Sequence, residues 1–225
     1  MNSNQKASYK CLMVASIALV MAIAVPTNAV LAYTSSPYLN IKTAVVNSAG
    51  LDAVLYTGGN IPKDGSGGAF GYGIMTRAGD NTVLAVATTH QGVRDSVAQG
   101  SGAGPVWHTH FVRLGVGITG YCGTQPEIQT ITFQEPGRVV VVGSTAIFNL
   151  IPSSFTGTDA LTGKPLTLIP GHSVQNVVSF KLAPQFSKGG ALRAVCITDI
   201  SPAQQIIKNP GDIIGDLIKG ESLLS

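Results

Sequence analysis

From Tyr38 onward the chain runs in short stretches of β-branched, aromatic and other apolar residues, separated by glycine, proline, asparagine and aspartate. Apolar and polar positions alternate with a period of two in most of them, the mark of strands with one buried face. The pattern predicts strands at 38–46, 51–57, 70–77, 82–90, 106–119, 128–133, 138–142, 145–151, 166–169, 173–183 and 191–198. Gly79-Asp80-Asn81, Glu135-Pro136-Gly137 and Gly143-Ser144 read as hairpin turns. Strands spaced by about 8 to 12 residues without a helical period point to a sandwich or a barrel. A single Greek-key-like β-sandwich over residues 33–200 is the expectation. Two connections, 58–69 and 92–105, are long for β proteins and rich in Gly, Ser and Asp, the composition of loops that carry either function or nothing.

The two ends depart from this texture. At the N-terminus, Lys6 and Lys10 precede an unbroken apolar run from Cys11 to Val25, followed by Pro26 and small residues at Ala29 and Ala32. That order is a secretory signal peptide over 1–32, and the run is too short, at ~1.5 Å per residue, for a ~30 Å hydrocarbon core. The chain is therefore expected to be secreted or held in the cell envelope, without a transmembrane segment once the signal is removed. At the C-terminus, Ser201-Pro202 and Asn209-Pro210 read as helix starts, with isoleucines and leucines at helical spacing behind them. A short helical segment over 201–225 is expected.

Composition narrows the partners. Two of the 14 Lys and Arg and none of the 11 Asp and Glu precede residue 33, so the remainder is close to neutral. Nucleic acid and anionic membranes are not attracted by such a surface. Outside the signal the cysteines are Cys122 and Cys196. In an oxidising compartment a lone pair is most simply a disulfide, the alternative being two buried thiols.

The histidines are His90, His108, His110 and His172. In the run Val106-Trp107-His108-Thr109-His110-Phe111-Val112, strand alternation puts His108 and His110 on the face shared by Val106, Val112 and Leu114, the more uniformly apolar one. Two imidazoles at that spacing reach one metal ion, and neutral imidazole suits copper or zinc. His90 ends a strand whose Leu84, Val86 and Thr88 share its face, so it can join them if the strands are neighbours. The competing reading has these rings bonded only to backbone and to neighbours such as Thr109.

The His108-Thr109-His110 tripeptide, Cys122 twelve residues later, His172, and the Arg193-to-Cys196 run resemble the copper/zinc superoxide dismutases. The resemblance implies a β-sandwich, His108, His110 and His172 as metal ligands, a Cys122–Cys196 disulfide, and Arg193 as an anion-guiding residue. The chain departs from that family in having no histidine between His110 and His172, where the bridging and zinc ligands would lie.

Serine-hydrolase elbows, phosphate-binding loops and paired carboxylates are missing from the sequence, and loop carboxylates such as Asp52, Asp64, Asp95 and Asp159 read as solvated. Three functional expectations follow. One is a secreted β-sandwich holding a transition metal through His108 and His110 with His90 or His172, open to redox chemistry. A second is a cell-surface or filament-type structural protein that self-associates, or joins another envelope protein, through strands or its C-terminal segment. A ligand-binding module built on Trp107, Tyr72 and the long loops is a third.

Overall fold

A computed structural model of the protein describes residues 36–47, 51–78, 81–100, 102 and 104–208. The expected signal peptide, 1–32, and residues 209–225 of the expected C-terminal helix lie outside the described residues. Everything described falls within one contact unit, 33–225.

The period-two pattern folds as strands throughout. They are β1 (Ile41–Asn47), β2 (Asp52–Thr57), β3 (Phe70–Ala78), β4 (Asn81–Thr89), β5 (His108–Val116), β6 (Pro126–Ile131), β7 (Arg138–Val142), β8 (Thr145–Asn149), β9 (Phe155–Thr158), β10 (Pro165–Leu168), β11 (Ser173–Phe186), β12 (Leu192–Pro202) and β13 (Ile206–Lys208). Helical structure among the described residues is confined to single 3₁₀ turns at Pro37–Leu39 and Val97–Gln99.

The all-β expectation holds; the arrangement of sheets differs from a sandwich. Strands β11-β12-β6-β5-β4-β3 close into a six-stranded barrel, and β13-β1-β2-β8-β7 form a separate five-stranded sheet. The Glu135-Pro136-Gly137 turn does not make a hairpin, because β6 belongs to the barrel and β7 pairs with β8 in the other sheet. Gly143, at φ +55°, does turn the β7–β8 hairpin as its sequence suggests.

The C-terminal expectation is corrected over 201–208. Ser201 and Pro202 end β12 opposite Ser179 and Val178 of β11, and Ile206, Ile207 and Lys208 form β13 in parallel with Ala44, Val45 and Val46 of β1. An open β1 edge offers ladder hydrogen bonds that outweigh the proline-first helix signal over so short a stretch.

Alternation along the barrel strands divides two cores. Phe70, Tyr72, Ile74, Val83, Ala85, Ala87 and Phe111 face out of the barrel and pack with Ala44, Val46, Leu55 and Phe148 of the five-stranded sheet. Leu84, Val86, Val112, Ile128, Val178 and Phe180 face the lumen. Phe180 enters the lumen because β3 presents glycines there: an added Cβ at Gly71 would lie 3.0 Å from the Phe180 ring and one at Gly73 3.4 Å.

Trp107 and Tyr72, the rings of the third sequence expectation, stack on each other with centroids 5.8 Å apart in the outer core. The Tyr72 hydroxyl donates to the Tyr38 carbonyl at 2.6 Å and the Trp107 indole N–H to that of Pro62 at 3.1 Å. Cys122 and Cys196 form the expected disulfide, with Cα atoms 5.4 Å apart. No helix of the described residues is long and apolar enough to cross a membrane.

Candidate metal centre

The alternation that sends Val112 and Leu114 into the lumen does the same for His108 and His110. On the neighbouring strand, Thr88 pairs with His108 and Val86 with His110. His90 follows β4 two residues beyond Thr88 and lands beside them. All three imidazoles are buried, with ring centroids 5.0 Å apart for His90–His108 and 4.8 Å for His108–His110.

The fourth member is Asp95, from the long loop after β4. Its Oδ2 lies 3.1 Å from His90 Nε2 and 3.7 Å from His110 Nε2, and its Oδ1 lies 3.2 Å from His108 Nε2. A short capping turn holds it in place. The Ser96 hydroxyl accepts from the Ala98 N–H at 3.1 Å, while Gln99 Oε1 accepts from the N–H groups of Asp95 and Ser96 at 2.9 and 3.2 Å. That turn is tied to the segment after β6. Val97 N–H donates to the Phe133 carbonyl at 3.2 Å, and Glu135 accepts from the Ser96 hydroxyl and, at 2.7 Å, from the Ala98 N–H. The Arg94 guanidinium lies over the Phe133 ring at 5.4 Å.

The tautomers follow from the outer nitrogens. His108 Nδ1 is 2.7 Å from the Val106 carbonyl and His110 Nδ1 is 2.6 Å from that of Thr132. A carbonyl only accepts, so both Nδ1 atoms carry protons, and in the neutral rings both Nε2 atoms present lone pairs. Thr88 Oγ1, 3.2 Å away, can donate to the Nε2 of His108. The Nε2 of His110 and the Oδ1 of Asp95 are buried without a hydrogen-bond partner.

Burial pushes the His110 imidazolium down to a pKa of about 4, even against the attraction of Asp95, so this ring is neutral at pH 7. Burial would raise the Asp95 carboxyl. The imidazoles around it, those of His108 and His90 foremost, outweigh that effect and hold the group far below the usual carboxylate range. An ionised carboxylate thus faces a neutral ring whose lone pair points toward it, an arrangement that a cation between them would satisfy.

His90, Asp95 and His108 could hold a metal ion, since one donor atom from each lies within 4.8 Å of the others. Donors ~2.1 Å from a tetrahedral ion are ~3.4 Å apart, close to the His–Asp distances present. His110 adjoins this set through Asp95.

The sequence expectation for His90, His108 and His110 as neighbours therefore matches the structure. His172 is placed elsewhere. It is exposed and precedes Ser173, which pairs with Arg77 at the end of β3 remote from Phe70. On β4 that level is Thr82, seven residues from Thr89 and roughly 24 Å along the strand at ~3.4 Å per residue. Arg193 is exposed on β12. Asp95, read from sequence as a solvated loop carboxylate, is the member that reading missed. Its signal is the Ser96-to-Gln99 capping pattern immediately after it, which marks an ordered turn in an otherwise glycine-rich loop.

No protein family matches the chain, and neither does any curated protein or solved structure.

Proposed function

We propose that the protein is an exported metal-binding barrel that holds one transition-metal ion between His90, His108 and Asp95, with His110 as an additional donor. The observation that carries the reading is the pair of buried, unpartnered acceptors, His110 Nε2 and Asp95 Oδ1, in a cluster where backbone carbonyls already take up the outer nitrogens of His108 and His110. Neutral imidazoles with a carboxylate suit zinc and copper(II), and the two-histidine, one-carboxylate set also suits iron(II). The disulfide is compatible with an extracytoplasmic location, which the N-terminal signal pattern supports.

Elemental analysis of the purified protein tests this, after exposure to zinc, copper or iron(II) and extensive dialysis. One ion per chain is expected in the parent. Asp95→Asn keeps the shape of the side chain and removes its charge, and is expected to weaken retention by at least about 100-fold. A parent chain that emerges free of metal, or an Asp95→Asn chain that holds it equally well, would reject the site.

A second reading, assembly through strand edges, draws on β7. It ends the five-stranded sheet, with Val140 and Val142 exposed. Concentration-dependent polymers in light scattering, lost on Val140→Lys, would support it. A chain that stays monomeric at high concentration would reject it.

A further inference from the structure

The His/Asp cluster closes one end of a cavity inside the barrel. The cavity measures about 190 Å³. Thr88, His90 and Asp95 line its polar end. Apart from Gln91 its remaining wall is apolar, with Leu84, Val86, Val112, Ile128, Val178 and Phe180 among the side chains. Gln91, Leu161 and Ile200 belong to the wall and are also exposed, so the cavity has a way out to solvent. Natural cores are packed without space of this size. Here the space adjoins His90 and Asp95 of the candidate metal centre.

We infer that the lumen binds a small amphiphile, a short apolar body with a single anionic oxygen head, the head resting on the metal at the His/Asp end. The inference rests on the metal reading above. Size sets the body: an apolar cavity of about 150 Å³ takes one benzene ring, so this one has room for about eight non-hydrogen atoms. Charge sets the head. Neutral imidazoles and one carboxylate leave a divalent ion with a net positive charge in a low-dielectric pocket, which favours a carboxylate or phenolate and repels an ammonium group. With four protein donors in place, a zinc ion would take the anionic head as a fifth ligand from the lumen side.

Calorimetric titration of the zinc-loaded protein with acetate, butyrate, hexanoate, decanoate and hexylammonium tests it. Affinity is expected to rise about fourfold per methylene up to hexanoate, so that hexanoate exceeds acetate by roughly two orders of magnitude. Decanoate should gain nothing further, because the body would outgrow the cavity, and hexylammonium should bind at least about tenfold more weakly than hexanoate. Val86→Phe fills the lumen and should weaken hexanoate but not acetate. If that variant does not fold, the length series on the parent chain decides alone. Equal affinity for acetate and hexanoate, or for hexanoate and hexylammonium, overturns the inference. Zinc content measured on the same sample separates the two levels: a chain without zinc removes the metal reading and this inference together, whereas full zinc with a flat series removes only the inference.

Discussion

At the scale of single residues, the lumen depends on what β3 leaves out. Gly71 and Gly73 are two apart on the same face, yet they are not equivalent. A Cβ at Gly71 would meet the Ala87 carbonyl at 2.5 Å and Thr88 Cγ2 at 2.8 Å, and the carbonyl cannot move without disturbing the β3–β4 ladder. A Cβ at Gly73 would meet side-chain atoms of Val86, Phe180 and Leu84 at 3.3 to 3.6 Å, all able to give a few tenths of an ångström. Gly71→Ala is expected to cost about 2 kcal/mol or more and Gly73→Ala less than about 1 kcal/mol, read as shifts in urea midpoint at constant slope. Equal shifts would show that β3 is not held against β4 at this point. The same scale explains what the sequence did and did not disclose about the site. Side-chain parity, which the residues themselves determine, sends His108 and His110 inward and aligns His90 with them. The same parity puts Thr88 on the face of His90, but Asp95 could not be assigned that way. Thr88 gains its role only when β4 lies beside β5, and the position of Asp95 depends on contacts with Phe133 and Glu135, about 40 residues away.

At the scale of elements, strands with a clear period of two were legible to within a few residues, and the errors fall where pairing overrides local preference. β9 was not anticipated because Phe155-Thr156-Gly157-Thr158 is short and carries one large apolar residue; it forms by pairing with β10. β13 forms because β1 offers an edge. The functional element that the strands do not explain is the 92–105 loop, and its anchor is Glu135. Burial pulls the Glu135 carboxyl up, but hydrogen bonds from the Ser96 hydroxyl and the Ala98 N–H outweigh it and set the group below the usual carboxylate range. A folded-state pKa below the unfolded value means that the anchor is complete above about pH 4.3 and is lost as pH falls through the depressed folded value. Glu135→Gln is expected to lower stability by about 1 kcal/mol at pH 7, a modest figure because the group is half-exposed. The gap from the parent should shrink at pH 3, and zinc affinity, measured by competition with a chromophoric chelator, should fall several-fold as Asp95 loosens. A gap unchanged between pH 7 and pH 3 would mean that the carboxylate charge does not anchor the loop.

For the whole molecule, the sandwich expectation and the observed barrel differ in one place, the seam where the six strands close. Neighbouring barrel strands elsewhere share ladders of five or more residue pairs, but β12 meets β6 through the single pair Cys196 and Glu127. No period in the sequence distinguishes six strands that close from six that stay open; closure depends on tilt and register accumulated around the whole sheet. The disulfide lies at this seam, tying Cys196 to Cys122 in the β5–β6 connection. Glu127, buried at the same point, accepts the Thr119 N–H at 3.3 Å and secures that connection further. A covalent link across 74 residues of separation is worth about 4 kcal/mol in the chain-entropy account. Cys122→Ser/Cys196→Ser is therefore expected to lose about that much in urea unfolding. The loss should fall on the seam and leave the metal centre, which is built from β4, β5 and the 92–105 loop, able to bind zinc at the parental affinity while the chain is folded. Hydrogen exchange would locate the effect, with faster exchange at β6 and β12 and unchanged protection at β4. Uniform loss of protection across all six strands would instead mean that the barrel closes and opens as one cooperative unit, in which the disulfide stabilises the lumen and the histidine cluster together.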